Sequence, residues 1–132
     1  MPPLLASLVG CLALGLYLAL SFLAGRARER HDVAAPATTG HPEFEKRFRV
    51  QQNTLEQIVI FLPALWLFAA FVNAKLGAAI GLVWVAARSY YAWSYYRDPT
   101  KREPGFVVAV VASTILLIGA TIGIVVTGIG WL

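Results

Sequence analysis

The strongest indication of the fold is the charge-free segment at residues 4–24, LLASLVGCLALGLYLALSFLA. Its 21 residues would form a helix of roughly 31 Å, which matches the hydrocarbon thickness of a bilayer. A secretory leader is the poorer interpretation, because no basic segment precedes the stretch and its apolar part is too long for a leader. The stretch is therefore predicted to be a membrane-spanning helix.

Three more apolar segments follow, at residues 57–74, at 76–96 with one interruption by Arg88, and at 104–132. The chain has 132 residues, of which 58% are hydrophobic and 14% charged, whereas a soluble domain has about 25% charged residues. A sheet with open edges cannot satisfy its backbone in lipid, so the segments are predicted to be helices. We expect one domain over residues 1–132, an all-α integral membrane four-helix bundle. Its spans are predicted at about residues 4–25, 50–74, 76–96 and 104–130.

Basic residues are concentrated in two of the three connections between these spans. The first and third connections carry nine lysines and arginines, and the second carries only Lys75. The positive-inside rule places the first and third connections in the cytoplasm and both termini outside. Basic loops beside lipid head groups explain this charge better than binding to nucleic acid does. The expected location is the inner membrane of a bacterium, or the endoplasmic reticulum in a eukaryote.

Two helix faces carry polar side chains at membrane depth, where such groups are costly. The residues are Arg49, Asn53 and Glu56 on the second helix, and Arg88, Tyr91 and Tyr95 on the third. Spacings of three and four residues place each trio on one face. Solvated helix ends are the plain alternative, but Arg88 lies roughly 12 Å from the end of its helix. Arg28 and Arg102 are expected at a similar depth in the membrane. The region then contains four arginines and one glutamate, and this positive balance favours an anionic ligand with carboxylates. Apolar faces beside it suit a second, lipophilic ligand.

Other candidate sites are weak in this sequence. His31 and His41 have no partners at metal-ligand spacing, so no metal site is predicted. Cys11 is interpreted as a packing residue, and as the only cysteine it excludes an intrachain disulfide. Three glycines of the fourth span are predicted to allow close helix packing: Gly119, Gly123 and Gly128.

Two motifs carry a resemblance to a known family. Arg49-x-x-x-Asn53-x-x-Glu56 is followed by Arg88-x-x-Tyr91-x-x-x-Tyr95, with Arg102 beyond them. This pattern, over about residues 26–105, resembles the MAPEG superfamily, the membrane-associated proteins of eicosanoid and glutathione metabolism. The branch looks like that of microsomal glutathione transferase 2 and leukotriene C synthase, in a bacterial version.

The resemblance implies a homotrimer of four-helix subunits, with glutathione bound between neighbours near the cytoplasmic face. Its implied glutathione contacts are Arg28, Arg49, Gln51, Asn53, Glu56, Arg88, Tyr91 and Tyr95. Arg102 matches the family position that stabilises the thiolate and is the expected catalytic residue. The implied partners are glutathione as co-substrate, a lipophilic electrophile or lipid hydroperoxide, and the lipid bilayer.

The sequence also departs from that pattern. Glu29 stands where leukotriene C synthase has a second arginine, and Asp98–Pro99 would change the path of the chain before Arg102. The expected function is a membrane glutathione transferase, with peroxidase activity on lipid hydroperoxides. One alternative is a non-catalytic lipid-binding protein, like the lipoxygenase-activating member of the superfamily. Another is a small four-span transporter, which the arginines around Glu56 disfavour because they repel cations.

Overall fold

The computed structural model describes residues 3–131 as four long helices joined by short connections. The helices are α1 (Leu4–Arg30), α2 (Pro42–Phe71), α3 (Ala74–Arg97) and α4 (Glu103–Ile129), with a 3-10 turn at Pro99–Lys101 before α4. No strand occurs within residues 3–131, so the predicted all-α fold is confirmed. α2 begins well before its predicted span, because the charged segment 43–49 is helical as well.

Local capping determines where α2 and α3 begin. Nδ1 of His41 accepts a hydrogen bond from the backbone N–H of Glu43 at 3.1 Å, and Pro42 occupies the first helical position, where its missing N–H costs nothing. The side-chain oxygen of Asn73 accepts from the backbone N–H of Leu76 at 2.9 Å. Only two residues separate α2 from α3, so these helices run antiparallel as neighbours.

Three of the helical segments are long and apolar enough to cross a membrane: Leu4–Arg30, Pro42–Phe71 and Pro99–Ile129. α3 is less apolar, because Arg88 and four tyrosines lower its hydropathy. It has 24 residues, about 36 Å of helix, and it packs against all three other helices. Within the described residues, the most apolar part of α3 is thus less apolar than the corresponding parts of the other three helices.

Small side chains and one aromatic pair form the centre of the bundle. The rings of Phe61 on α2 and Trp84 on α3 stack with their centroids 4.1 Å apart. Fully buried alanines surround them, among them Ala6, Ala13, Ala64, Ala109 and Ala120. Large apolar side chains such as Leu18 and Val126 are exposed on the outward faces of α1 and α4. Small residues let the helices approach closely, and the apolar outer faces suit contact with lipid.

Glycines mark the closest approaches of α4 to its neighbours. A Cβ added to Gly119 would lie 2.5 Å from the Phe68 side chain, and one added to Gly123 would lie 2.8 Å from the carbonyl oxygen of Phe71. The prediction of close packing is confirmed for these two glycines. It is wrong for Gly128 within this chain, because an added Cβ there would meet nothing within 4 Å.

Candidate functional site

A cleft of about 650 Å³ opens at the end of the bundle where α3 ends and α2 and α4 begin, and we call it the α2–α3–α4 cleft. Its lining residues are Arg49, Asn53, Tyr91, Tyr95, Pro99, Thr100, Arg102, Glu103, Phe106 and Val107. Ligand pockets of small molecules commonly have about 300–1,000 Å³. The cleft therefore has room for a ligand and joins the polar faces of α2 and α3 to the beginning of α4.

Five of the nine predicted site residues meet in this cleft: Arg49, Asn53, Tyr91, Tyr95 and Arg102. They come from α2, from α3 and from the residue just before α4. Two guanidinium groups face one lining carboxylate, that of Glu103, so the lining has a positive balance. Phe106 and Val107 add an apolar wall beside the polar side chains.

Arg88 lies beneath the cleft rather than in its lining. Its side chain is fully buried, and Nη2 donates to Oδ1 of Asn53 at 3.0 Å and to Oγ1 of Thr54 at 2.7 Å. The guanidinium also lies 4.1 Å from the ring centroid of Tyr91. Nε and Nη1 have no hydrogen-bond partner in residues 3–131. A buried positive charge therefore supports two of the lining residues from below.

Thr54 belongs to this arrangement, although the sequence analysis did not identify it. It is fully buried, and its hydroxyl donates to the carbonyl oxygen of Val50 at 2.8 Å while accepting from Arg88. The available signal was a single hydroxyl on an otherwise apolar face of α2, between Val50 and Ile58 at four-residue spacing. A threonine on such a face satisfies its own hydroxyl with the helix backbone and still offers an acceptor.

Glu56 stands at the edge of the same network. It is exposed and is absent from the lining of the cleft, and its Oε2 accepts a long hydrogen bond of 3.4 Å from Nδ2 of Asn53. The side-chain oxygen of Asn53 thus accepts a hydrogen bond from Arg88, and its amide N–H donates one to Glu56. These two contacts fix which way the amide of Asn53 points.

Two predicted site residues lie away from the cleft in the single chain. Nη1 of Arg28 donates to the carbonyl oxygen of Ala37 at 2.7 Å, and its guanidinium lies 4.5 Å from the ring centroid of Phe44. Nε2 of Gln51 donates to the hydroxyl of Tyr17 on α1 at 3.1 Å. Both residues make these contacts with α1, with α2 or with the connection between them, and neither lines the cleft.

The 3-10 turn before α4 positions Arg102 in the lining of the cleft. Oδ1 of Asp98 accepts from the backbone N–H of Thr100 at 3.0 Å and from its hydroxyl at 2.7 Å. These two donors hold the pKa of the Asp98 carboxyl below its usual value. Arg102 follows directly, with its guanidinium 5.8 Å from the ring centroid of Tyr95. Asp98 and Pro99 therefore form an ordered turn that leaves Arg102 in the lining.

Residues 3–131 contain no group of three or more His, Cys, Asp or Glu side chains that could hold a metal ion. The chemistry available in the cleft is that of guanidinium, amide and phenol groups beside an apolar wall. Guanidinium groups bind carboxylates and stabilise neighbouring anions, and phenols supply hydrogen-bond donors.

Three known proteins are similar to this chain over most of its length. An uncharacterised protein of the cyanobacterium Synechocystis sp. is 47% identical over 118 residues, which cover 89% of this chain and 86% of that protein. Microsomal glutathione S-transferase 2 of Mus musculus is 40% identical over 100 residues, 76% of this chain and 68% of that protein. Leukotriene C4 synthase of Cavia porcellus is 37% identical over 99 residues, 75% of this chain and 66% of that protein.

The profile of one protein family covers nearly the whole chain. It is the profile of the MAPEG family, and it matches residues 6–122. The match includes α2 and α3 completely, most of α1 and α4, and every residue of the α2–α3–α4 cleft. Together with the three apolar helical segments, it identifies the chain as a membrane protein. The chain belongs to the MAPEG family.

Proposed function

We propose that this protein is a membrane glutathione transferase that conjugates glutathione to lipophilic electrophiles. The observation that carries the proposal is the convergence of Arg49, Asn53, Tyr91, Tyr95 and Arg102 on one cleft. Two relatives named for glutathione or leukotriene C4 chemistry support it, at 40% and 37% identity.

The cleft suits glutathione by charge and by hydrogen bonding. Glutathione carries two carboxylates, one ammonium group and a thiol. Arg49 at the rim is the proposed partner of a carboxylate, because a guanidinium binds a carboxylate through two parallel hydrogen bonds. Tyr91 and Tyr95 offer phenol groups, and the exposed carboxylate of Glu56 is the proposed partner of the ammonium group. Arg88 acts from below, by holding Asn53 and Tyr91 in place.

Arg102 is the proposed catalytic residue. A free thiol has a pKa near 8.5, so it is mostly protonated at neutral pH, and only the thiolate is a good nucleophile. A guanidinium within about 4–6 Å lowers that pKa by stabilising the anion. The thiol proton leaves to solvent, the thiolate forms a C–S bond with the electrophilic carbon, and the leaving group departs with the bonding electrons. Phe106 and Val107 are the proposed apolar contacts of that electrophile.

Peroxidase activity is the proposed side reaction of the same thiolate. A thiolate attacks one oxygen of a lipid hydroperoxide, the O–O bond breaks, and the lipid leaves as an alkoxide that takes a proton from solvent to become an alcohol. A second glutathione then converts the sulfenic acid that results to a disulfide and releases water. Both reactions need the same activation of sulfur, so one cleft serves both.

A homotrimer is proposed from the resemblance to the MAPEG superfamily, and the two residues outside the cleft support a site shared between subunits. Arg28 bonds to the connection between α1 and α2, Gln51 bonds to α1, and neither lines the cleft. If both contact glutathione, they reach it from a neighbouring subunit. In the same proposal all four helices cross the membrane, and the connections that begin at His31 and Asp98 lie in the cytoplasm of a bacterium.

Ultraviolet titration of the detergent-purified protein with glutathione tests the proposed function. We expect a saturable thiolate absorbance near neutral pH, no signal with an analogue that lacks sulfur, and turnover of a nitro-activated aryl chloride. Absence of both binding and thiolate would overturn the proposal and leave the non-catalytic lipid-binding alternative. Saturable binding with no thiolate would overturn only the catalytic role of Arg102.

A further inference from the structure

A second cavity, of about 790 Å³, lies between the last turns of α1 and the first turns of α2, and we call it the α1–α2 cavity. Its lining residues are Leu23, Arg26, Ala27, Glu29, Arg30, His31, Glu43 and Arg47. It shares no residue with the α2–α3–α4 cleft, and none of its polar residues belongs to the proposed glutathione contacts.

The charges of this cavity leave two arginines free. Glu43 is already paired twice, with Nζ of Lys46 at 3.1 Å and with Nη1 of Arg47 at 2.8 Å. Arg26 and Arg30 are exposed and make no hydrogen bond or ion pair to residues 3–131. Glu29 is the remaining carboxylate and is exposed and unpaired in the same part of the chain. Two free guanidinium groups against one free carboxylate give a site for an anion.

The position of the cavity along α1 indicates that its ligand is an anion that also has an apolar part. The charge-free run of α1 ends at Gly25, and Arg26 and Arg30 occupy the next two turns on the side of Leu23. Leu23 and the neighbouring Phe22 are exposed, and Phe22 lies 5.9 Å below the guanidinium of Arg26. In a membrane protein, the end of an apolar run coincides with the level of the lipid head groups. An occupant would meet arginines at its polar end and apolar side chains at the other.

We propose that the α1–α2 cavity binds the phosphate head group of an anionic phospholipid, with Arg26 and Arg30 as its main contacts and Leu23 beside the acyl chains. Arginine binds phosphate oxygens through its fork of N–H donors, and basic residues beside a membrane attract anionic lipids. A soluble phosphate ester offers the same oxygens but has no apolar part to contact Leu23. A phospholipid is therefore the ligand that contacts both the arginines and the apolar side chain of the cavity.

The third connection supplies a matched control, because its basic residues lie outside this cavity. The guanidinium of Arg97 lies 4.6 Å from the ring centroid of Trp93 and lines neither cavity. Arg97 is at the same end of the bundle as Arg26 and Arg30, since α3 and α1 both end there. A nonspecific effect of surface charge would change equally when either region loses an arginine.

The experiment measures lipid retention by native mass spectrometry. The full chain is purified in detergent with equal amounts of phosphatidylglycerol and phosphatidylcholine, and bound lipids are counted. The intact protein is expected to retain phosphatidylglycerol selectively. Arg26→Ala with Arg30→Ala is expected to lower that selectivity about 25-fold, since each arginine near an anionic surface contributes about fivefold. Arg97→Ala is expected to leave it unchanged. Circular dichroism of all three proteins checks that the helices are intact.

Three outcomes would overturn the proposal. The first is equal retention of the two lipids by the intact protein. The second is a loss of about fivefold in the Arg97→Ala variant, the contribution of one arginine, which would indicate diffuse electrostatic attraction. The third is displacement of phosphatidylglycerol by glycerol phosphate at the same concentration, which would assign the cavity to a soluble phosphate ester. None of these measurements uses glutathione, so they stand whether or not the proposed function is correct.

Discussion

The α2–α3–α4 cleft and the α1–α2 cavity are alike in size, charge and location, yet they are built differently. Both are basic, and their volumes are about 650 and 790 Å³. Beneath the cleft, fully buried Arg88 and Thr54 hold Asn53 and Tyr91. The free arginines of the cavity have no such support. Charge alone therefore does not specify a ligand, whereas buried hydrogen bonds fix donors in the geometry that selective binding and catalysis require.

The largest expected effect separates catalysis from binding within the cleft. Arg102→Ala should lower the thiolate yield and turnover on the order of a hundredfold, as the loss of an anion-stabilising donor does in other enzymes. It should leave glutathione affinity nearly unchanged. Arg49→Ala should instead weaken affinity about tenfold to a hundredfold, because a charge-assisted hydrogen bond is lost. Ultraviolet titration measures both quantities. Equal affinities and equal thiolate yields in both variants would contradict this division of roles.

Arg26→Ala in the α1–α2 cavity is the control for that experiment, because it removes the same charge at the same end of the bundle. It should change neither the thiolate yield nor the glutathione affinity. A loss comparable to that of Arg102→Ala would show that the two regions act together.

The next effect tests whether the cleft needs its close helix contact. A Cβ at Gly105 would lie 2.8 Å from the backbone nitrogen of Tyr91 and 2.9 Å from the carbonyl oxygen of Ala87, so α3 and α4 would have to separate. We expect Gly105→Ala to destabilise the protein by about 3 kcal/mol, the upper end of the usual cost of overpacking. Gly128→Ala should be neutral, because nothing lies within 4 Å of the added group. Thermal unfolding in detergent measures both. Similar midpoints would show that the helices separate without cost.

A smaller effect is expected from the buried support of the cleft. Thr54→Val keeps the shape of the side chain but removes the acceptor of Nη2 of Arg88, which should cost about 2 kcal/mol of unfolding free energy. Glutathione affinity should fall as well, because Arg88 also holds Asn53. Thr54→Ser, which keeps the hydroxyl, should behave like the original protein in both measurements. If the valine variant binds glutathione with full affinity, Arg88 holds Asn53 without help from Thr54.

The smallest effect concerns the turn that presents Arg102. Asp98→Ala removes the acceptor of two hydrogen bonds from Thr100. It should reduce the thiolate yield a few-fold, because losing a capping side chain lowers the stability of the local structure by a similar factor. Asp98→Asn keeps an acceptor oxygen and should restore most of the yield. Those same bonds lower the pKa of Asp98, so their contribution is complete at neutral pH and is lost only as the pH falls through the lowered pKa, below 3.8. The thiolate yield of the intact protein should therefore show no titration of Asp98 between pH 5 and 8.

The number of helices and the residues that share a face of each helix follow from the amino-acid sequence alone. Long apolar runs indicate where helices lie, since a helix satisfies its backbone hydrogen bonds within one segment, although α2 begins well before its apolar run. Spacing along one helix then places Arg49 and Asn53, or Tyr91 and Tyr95, on a common face. These inferences depend on periodicity within a segment. Five of the nine predicted site residues line the cleft once the helices pack together.

Which helix faces meet, and which buried polar groups hold others in place, depends on how the helices pack together. Arg88 donates a hydrogen bond to Thr54, which lies 34 residues earlier in the sequence. Gln51 donates to Tyr17 on α1, although Asn53, two residues later, lines the cleft. Residues two apart on a helix point in directions about 160° different, so neighbours in sequence serve different interfaces. Periodicity orients a face relative to its own helix axis. The packing of small residues such as Gly105 against α3 then selects the helix that the face contacts.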